Sequence, residues 1–236
     1  MIESAIPDHA NDVAVRIARR SLAKQEADYA SEVRRLLDAA YEVITRCGTD
    51  SRPRVADIVA AAGLSNDAFY RHFRSKDALV AALLLHGTEE LVSYTAHLMG
   101  KETTPAGRIR RWVEAVFCQT REDMAAATRA LLWNGSNLGD GPASARYAHV
   151  APLAALLREP YAELGSADPE MDASLTTHAV LGKISDYVFR RAVPTRAELD
   201  RIIGFSLRAG GPEQPSTAVS TAADCPAGPP GPPATH

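Results

Sequence analysis

The chain has 236 residues, 46% apolar but only 6% aromatic, and a formal net charge of −3. That length holds one large domain or two small ones, the balance favours helices, and the charge excludes a wholesale polycation while leaving room for a local basic patch. Up to Arg74 there are eleven Lys/Arg and eleven Asp/Glu, which leaves fifteen against eighteen beyond it, so the acidity belongs to the C-terminal part.

Residues 1–30 mix charges, and Arg16, Arg19, Arg20 and Lys24 recur on a helical spacing with no acid between them. This segment reads as a basic, partly helical arm or as a solvated charged face. The opening stretch has no apolar h-region, and the longest purely apolar run, Ala78 to Leu85, is far short of the ~20 residues that span a bilayer. Cys47, Cys118 and Cys225 are far apart and have no paired spacing for zinc or a disulfide frame, so a reducing cytoplasm without membrane association is expected.

From Ser31 the periodicity sharpens. Val33, Leu36, Leu37, Ala40, Tyr41 and Ile44 follow the template of an amphipathic helix that Gly48 ends. Pro53 suits a helix start, and Val55, Ile58, Val59 and Ala62 form the apolar stripe of a short second helix stopped by Gly63. Ser65 can cap a third helix of barely two turns from Asn66. Further helices are expected at about 76–100, 104–121, 122–134, 143–164, 169–193 and 195–209, with no strand-like alternation between them. Past Gly210 the Pro/Gly-rich tail lacks an apolar period, which predicts disorder.

The third helix carries the chemistry. Phe69 and Phe73, four residues apart, can pack on the first two helices, which turns Asn66, Asp67, Tyr70 and Arg71 outward. A helix–turn–helix places such a face in the major groove, with flanking groups on phosphates. Ser75 then caps a fourth helix, yet Lys76 follows at the positive end of its dipole, where an anion is favoured. That placement makes sense if a phosphate docks there, gripped by backbone amides and the ammonium group together. Taken singly, each group has a plainer use: a surface tyrosine, a capping histidine at His72, solvated arginines at Arg71 and Arg74.

The stretch RVADIVAAAGLSNDAFYRHFRSKDAL strongly resembles the DNA-binding domain of tetracycline-repressor (TetR) family transcriptional regulators. The match is carried by Gly63, Leu64, Ser65, Tyr70, His72, Phe73, Ser75, Lys76, Asp77 and Leu79. It is specific over roughly residues 31–80 and extends to the remainder as architecture. The resemblance implies an all-α protein: a three-helix DNA-binding domain at 31–78, its motif at about 54–73, an effector-binding and dimerisation domain at 79–209, and a tail at 210–236.

For the DNA-binding site it implies phosphate contacts by Tyr70, Lys76 and the helix start at Arg54 and Val55, and base contacts by Asn66, Asp67 and Arg71. His72 is included with them as part of the motif. Where many members have a threonine hydroxyl at the second helix start, this chain offers the Arg54 guanidinium. Asp67 either accepts from a cytosine amino group or serves as a favourable charge at the helix start, the second reading ranking first.

In the second domain the resemblance implies a largely apolar small-molecule effector. Trp112, Phe117, Trp133, Tyr147, His149 and His178 are the candidate lining, against the plain alternative that aromatics at helical spacing are core. Ala179, Gly182 and Ser185 make a small-residue stripe beside Leu175 and Phe189; with Leu199, Ile202, Ile203 and Leu207 they suggest half of a four-helix homodimer interface, with burial in the same chain as the alternative. A dimer is also what two half-sites of an inverted repeat in double-stranded operator DNA require, about 34–36 Å apart.

The expectation is a ligand-responsive repressor. Cys118 has no histidine at motif spacing, and neither a Gly-x-Ser-x-Gly turn nor a metal-ligand pattern occurs, so no catalytic residue, metal or cofactor is expected. The competing readings are a helical protein–protein adaptor, with Tyr70 and the arginines on an acidic partner, and an enzyme built on the helical second domain.

Overall fold

The computed structural model describes residues 9–136 and 150–209, with nine α-helices, one 3₁₀ turn and no strand among them. The expected 143–149 part of one helix and the tail past Gly210 lie outside the described residues. In chain order the helices are α1 (His9–Cys47), α2 (Val55–Ala62), α3 (Asn66–His72), α4 (Lys76–Met99) and α5 (Pro105–Val116). A 3₁₀ turn at Phe117–Thr120 leads into α6 (Glu122–Ser136), followed by α7 (Ala151–Glu163), α8 (Pro169–Arg190) and α9 (Arg196–Ala209).

The first helix departs most from the sequence reading. It runs unbroken for 39 residues, so the described part of the arm is not separate from the helix expected at Ser31 but its N-terminal half. No glycine or proline interrupts it, and alanine and arginine, both good helix formers, are its commonest residues. Val15, Leu22, Tyr29, Leu36 and Val43 stand seven apart along it; the first three are exposed and the last two buried. The same row therefore changes from solvent to core where α2 and α4 begin to cover it. The buried stripe comprises Leu36, Ala39, Ala40, Val43 and Ile44, and it leaves Tyr41, expected within it, exposed.

Two apolar cores follow. The first joins α1, α2, α3 and the start of α4 around Leu36, Ile44, Ile58, Phe69 and Leu79. The second is built by α5, α7, α8 and α9 around Ile109, Trp112, Leu157, Val180 and Ile203. Two helices link them: α4 gives Leu79, Val80 and Leu83 to the first and Met99 to the second, while α6 gives Ala130 to the first and packs on α8 of the second. The approach of α6 to α4 is close, because a Cβ on Gly135 would stand 2.7 Å from Leu84 Cδ1.

The motif turn is held from outside. Gly63 takes the left-handed conformation (φ 63°), and Leu64 N–H donates to Val59 O (2.9 Å) while Gly63 N–H donates to Ala60 O (3.2 Å), closing α2 with a Schellman cap. Arg35 of α1 reaches across and donates through Nη2 to Ala62 O and to Gly63 O (3.0 Å). A cation at the C-terminal end of a helix meets both its free carbonyls and its negative pole.

The second core has its own polar tie. The Tyr161 hydroxyl of α7 is buried, donates to Ser206 O of α9 (2.8 Å) and shares a 2.7 Å hydrogen bond with Thr176 Oγ1 of α8. One side chain thus fastens three helices. Burial pushes the phenol up to about 12, because the phenolate would lose its hydration.

Two measurements check these ties. Gly63→Ala forces a side chain into a left-handed position and toward Arg35, so its unfolding free energy should fall by about 1–2 kcal/mol in a urea titration. Tyr161→Phe should cost about 1–2 kcal/mol by leaving buried partners unpaired. In the wild-type protein an unfolded tyrosine ionises near 10 and Tyr161 only near 12, so stability should decline as pH rises from about 10 toward 12. Tyr161→Phe should be spared that part of the decline.

Candidate nucleic-acid interface

The recognition helix α3 has only seven residues, too few to be stable alone, and is held by its ends and one face. Ser65 Oγ accepts from Ala68 N–H (3.1 Å) at its start. Ala68 and Phe69 are buried in the first core, and the Phe69 ring lies 5.9 Å from that of Phe73. With that face fixed inward, Asn66, Asp67, Tyr70 and Arg71 are all exposed, Tyr70 to 59%. The helix therefore presents to solvent the four side chains that the sequence places on its outer face.

The flanking groups follow the same logic. Ser75 Oγ accepts from Ala78 N–H (3.1 Å) and starts α4, which puts Lys76 at its first position. Neither Lys76 nor Arg74 has a carboxylate partner among the described residues. Arg54 is the N-cap of α2 without a capping hydrogen bond of its own; its guanidinium donates instead to Asp57 (Nε to Oδ2, 3.0 Å). Hydrogen bonding from Arg54 is the first reason the Asp57 carboxyl is held below its ordinary range. An exposed pair of this kind is worth little in water, so Arg54 can exchange its partner for a phosphate at small cost. Val55 is half-buried at the helix start and offers a backbone position rather than a side chain.

His72 is placed differently from the four exposed residues: its side chain is 0% exposed. The imidazole packs edge-on against Tyr29 of α1 with ring centroids 4.3 Å apart, and Nε2 stands 2.6 Å from Glu32 Oε2. The reason is helical spacing: His72 follows Ala68 and Phe69 by four and three residues, so it shares their inward face. Arg71 reaches the same carboxylate oxygen, with Nη2 donating over 2.9 Å. Glu32, Tyr29 and Arg35 were not singled out in the sequence; they act on residues 27 to 43 positions away, and no local pattern announces such pairs.

The candidate effector residues are scattered. Trp112 and Phe117 are buried in the second core; Trp112 Nε1 donates to Leu153 O (3.0 Å), and Phe117 packs edge-on against Tyr187. They serve as core here. Trp133 is exposed on α6, His178 is exposed on α8 with Nδ1 2.8 Å from Ser174 O, and Tyr147 and His149 lie outside the described residues. Two depressions on the described surface include none of the six: one of about 600 Å³ along α4 at His86, Glu90, Tyr94 and His97, the other of about 620 Å³ at Arg121, Glu122, Asp123 and Val193.

On the proposed dimer surface the two helices divide. Leu175, Ala179, Gly182 and Phe189 of α8 are exposed along one face, and Ser185 is half-buried. On α9, Ile203 is 1% exposed and belongs to the core of its own chain, while Leu199, Ile202 and Leu207 pack partly against that core. Phe205 is the exposed large apolar residue of α9 instead. Among the described residues no helix is long and apolar enough to cross a membrane, and no group of three or more His, Cys, Asp or Glu could hold a metal.

Comparison with known proteins agrees with this geometry. Residues 36–83, from the buried stripe of α1 through the start of α4, match the family described as bacterial regulatory proteins, tetR family. A TetR-family transcriptional regulator from Mesorhizobium loti MAFF303099 superposes with a TM-score of 0.57 at 19% identity, covering 77% of this chain and 96% of its own. RolR in complex with resorcinol (TM-score 0.56, 16% identity, 78% and 89% covered) and the transcriptional regulator FadR from Bacillus subtilis in complex with stearoyl-CoA (0.55, 14%, 75% and 96%) share the fold. No curated protein matches the chain. Residues 36–83 thus match the tetR family of bacterial regulatory proteins, and the helices around them share the fold of solved transcriptional regulators of that family.

Proposed function

We propose that this regulator is a homodimeric, ligand-responsive repressor that binds an inverted repeat of operator DNA and is released from it by a largely apolar small molecule. The observation that carries the DNA half is the outer face of α3, where Asn66, Asp67, Tyr70 and Arg71 stand exposed on a helix whose other face is locked into the first core. In this reading Asn66, Asp67 and Arg71 meet base edges. Tyr70, Lys76, Arg54 and the α2 start at Val55 hold phosphates.

The dimer half is supported by α8. Leu175, Ala179, Gly182 and Phe189 form an exposed face in which small residues at the centre admit a second helix closely, and Phe205 extends the apolar surface onto α9. Two-fold pairing there would present two α3 helices to successive major grooves.

Release follows from the shared helices. An effector that rearranges the second core acts on α4 and α6, which also build the first core, so the spacing of the two heads is coupled to ligand. A coupling of ~1–3 kcal/mol is typical of such switches. That RolR is seen with resorcinol and FadR with stearoyl-CoA supports a small-molecule effector for this fold. Trp112, Phe117, Trp133, Tyr147, His149 and His178 are the candidates for its contacts.

Selection of duplexes from random DNA with the purified full chain tests the first half. An inverted repeat should be recovered; Tyr70→Phe and Lys76→Ala should weaken binding to all duplexes, and Arg71→Ala should relax preference at one position per half-site by about 1–3 kcal/mol. Failure to enrich any duplex from folded protein would favour the adaptor reading. For the dimer, sedimentation should show two chains for the wild type and one for Leu175→Glu.

A further inference from the structure

We infer that Glu32 is a positioning residue for base reading: it holds the Arg71 guanidinium in one orientation at the C-terminal end of α3 and neutralises its charge toward DNA of any sequence. The inference rests on the proposal that α3 reads operator DNA.

The geometry is a three-group junction on a single carboxylate oxygen. Glu32 Oε2 accepts from Arg71 Nη2 at 2.9 Å and lies 2.6 Å from His72 Nε2. A carboxylate only accepts, so His72 carries its ring hydrogen on Nε2. The opposite ring nitrogen, Nδ1, is buried and has no partner. His72 is thus committed to Glu32: its side chain is fully buried, its second nitrogen has no alternative bond to draw it elsewhere, and Tyr29 closes over its ring. The imidazole holds the carboxylate, and the carboxylate holds the arginine.

Arg71 is held without being hidden. Its side chain remains 59% exposed, and Nη2 is the only one of its three nitrogens that bonds to Glu32. An arginine reads guanine with two adjacent N–H groups in a planar fork. Fixing one amino group on Glu32 removes rotations of a long side chain while leaving N–H groups for a base edge. Hydrogen bonding from His72 first, then the Arg71 cation, holds the acid below the ordinary glutamate range. Asp67 of α3 and Arg74 just beyond it are the nearest charged groups in sequence on that side, and neither is bonded to the junction.

The charge of the pair has a second consequence. A bare arginine attracts every phosphate equally, which raises affinity for all sequences and adds to the salt dependence. An arginine paired with an internal carboxylate gives up much of that unspecific attraction and retains its directional hydrogen bonds. Glu32 therefore exchanges general affinity for discrimination.

The test compares wild type, Glu32→Gln, Arg71→Ala and the double variant, each as the full chain. Duplexes are first selected from random DNA with the wild type. Affinities of all four proteins are then measured over a salt series for the selected duplex, for single-position variants of it and for an unrelated duplex. Glu32→Gln, nearly isosteric and still able to accept from His72, should bind the unrelated duplex more tightly with a log–log salt slope steeper by up to about 0.9 per protomer. Its preference for the selected base at one position per half-site should fall by about tenfold. In the Arg71→Ala background, Glu32→Gln should change neither quantity, and Glu32→Asp, which keeps the charge, should retain the wild-type salt slope. Unchanged slope and preference in Glu32→Gln would overturn the inference while leaving the reading head intact. Uniform weakening on every duplex would also overturn it, reducing Glu32 to a packing role. If the wild type selects no duplex, the proposal that α3 reads DNA falls, and this inference falls with it.

Discussion

One guanidinium from α1 takes the carbonyl oxygens of Ala62 and Gly63, and the orientation of the reading head depends on it. The turn between α2 and α3 is short and left-handed at Gly63, so the carbonyls that end α2 have no continuing helix to donate to them. The Schellman cap answers for Val59 and Ala60, and Arg35 answers for Ala62 and Gly63. Because that arginine sits one turn beyond Glu32 on the same helix, α1 grips the motif at both ends: the α2 terminus through Arg35, and the α3 terminus through Glu32 and Tyr29. Phe69 and Ala68 then need only fill the space between. A seven-residue helix with so little surface of its own acquires a fixed direction from these three anchors.

The same economy governs the join between the two cores. α4 has buried residues in both cores, and α6 joins the first core while packing on α8, so these two helices link head and body. The Gly135 backbone against Leu84 makes the α4–α6 contact tight, and packed interiors respond to displacement by shifting between discrete arrangements rather than by stretching. Polar ties such as Tyr161 on Thr176 and Ser206 stiffen the body on the far side of that join.

Much of the head was legible because its information is local. Gly63 marks a position with positive φ, Ser65 and Ser75 sit one residue before helices they cap, and Phe69 with Phe73 sets which face of α3 turns inward. The burial of His72 is legible in the same way, because its spacing from Ala68 and Phe69 assigns it to the inward face of α3. The continuity of α1 was missed for a different reason: residues 13–31 that are described are exposed on all sides, so no apolar periodicity of a half-buried helix was there to find. In the body, periodicity located the helices and could not say which aromatic would end in solvent and which in the core. Trp112 and Trp133 both lie on helices, yet one donates to Leu153 O in the interior while the other is exposed. That distinction depends on which helices pack together, and the pairing is decided over long range.

The length of α1 has a mechanical meaning. From the junction at Tyr29 and Glu32 its N-terminal half continues a helix that is clamped to the head, with the described side chains before Glu32 exposed. Twenty residues of helix reach about 30 Å, so this segment is a lever whose fulcrum lies beside α3. A head rotation of about 10° swings its far end through about 5 Å at that radius. Small angular changes that are hard to distinguish at α3 are thereby converted into large linear ones at the start of the chain, where a spectroscopic label would register them.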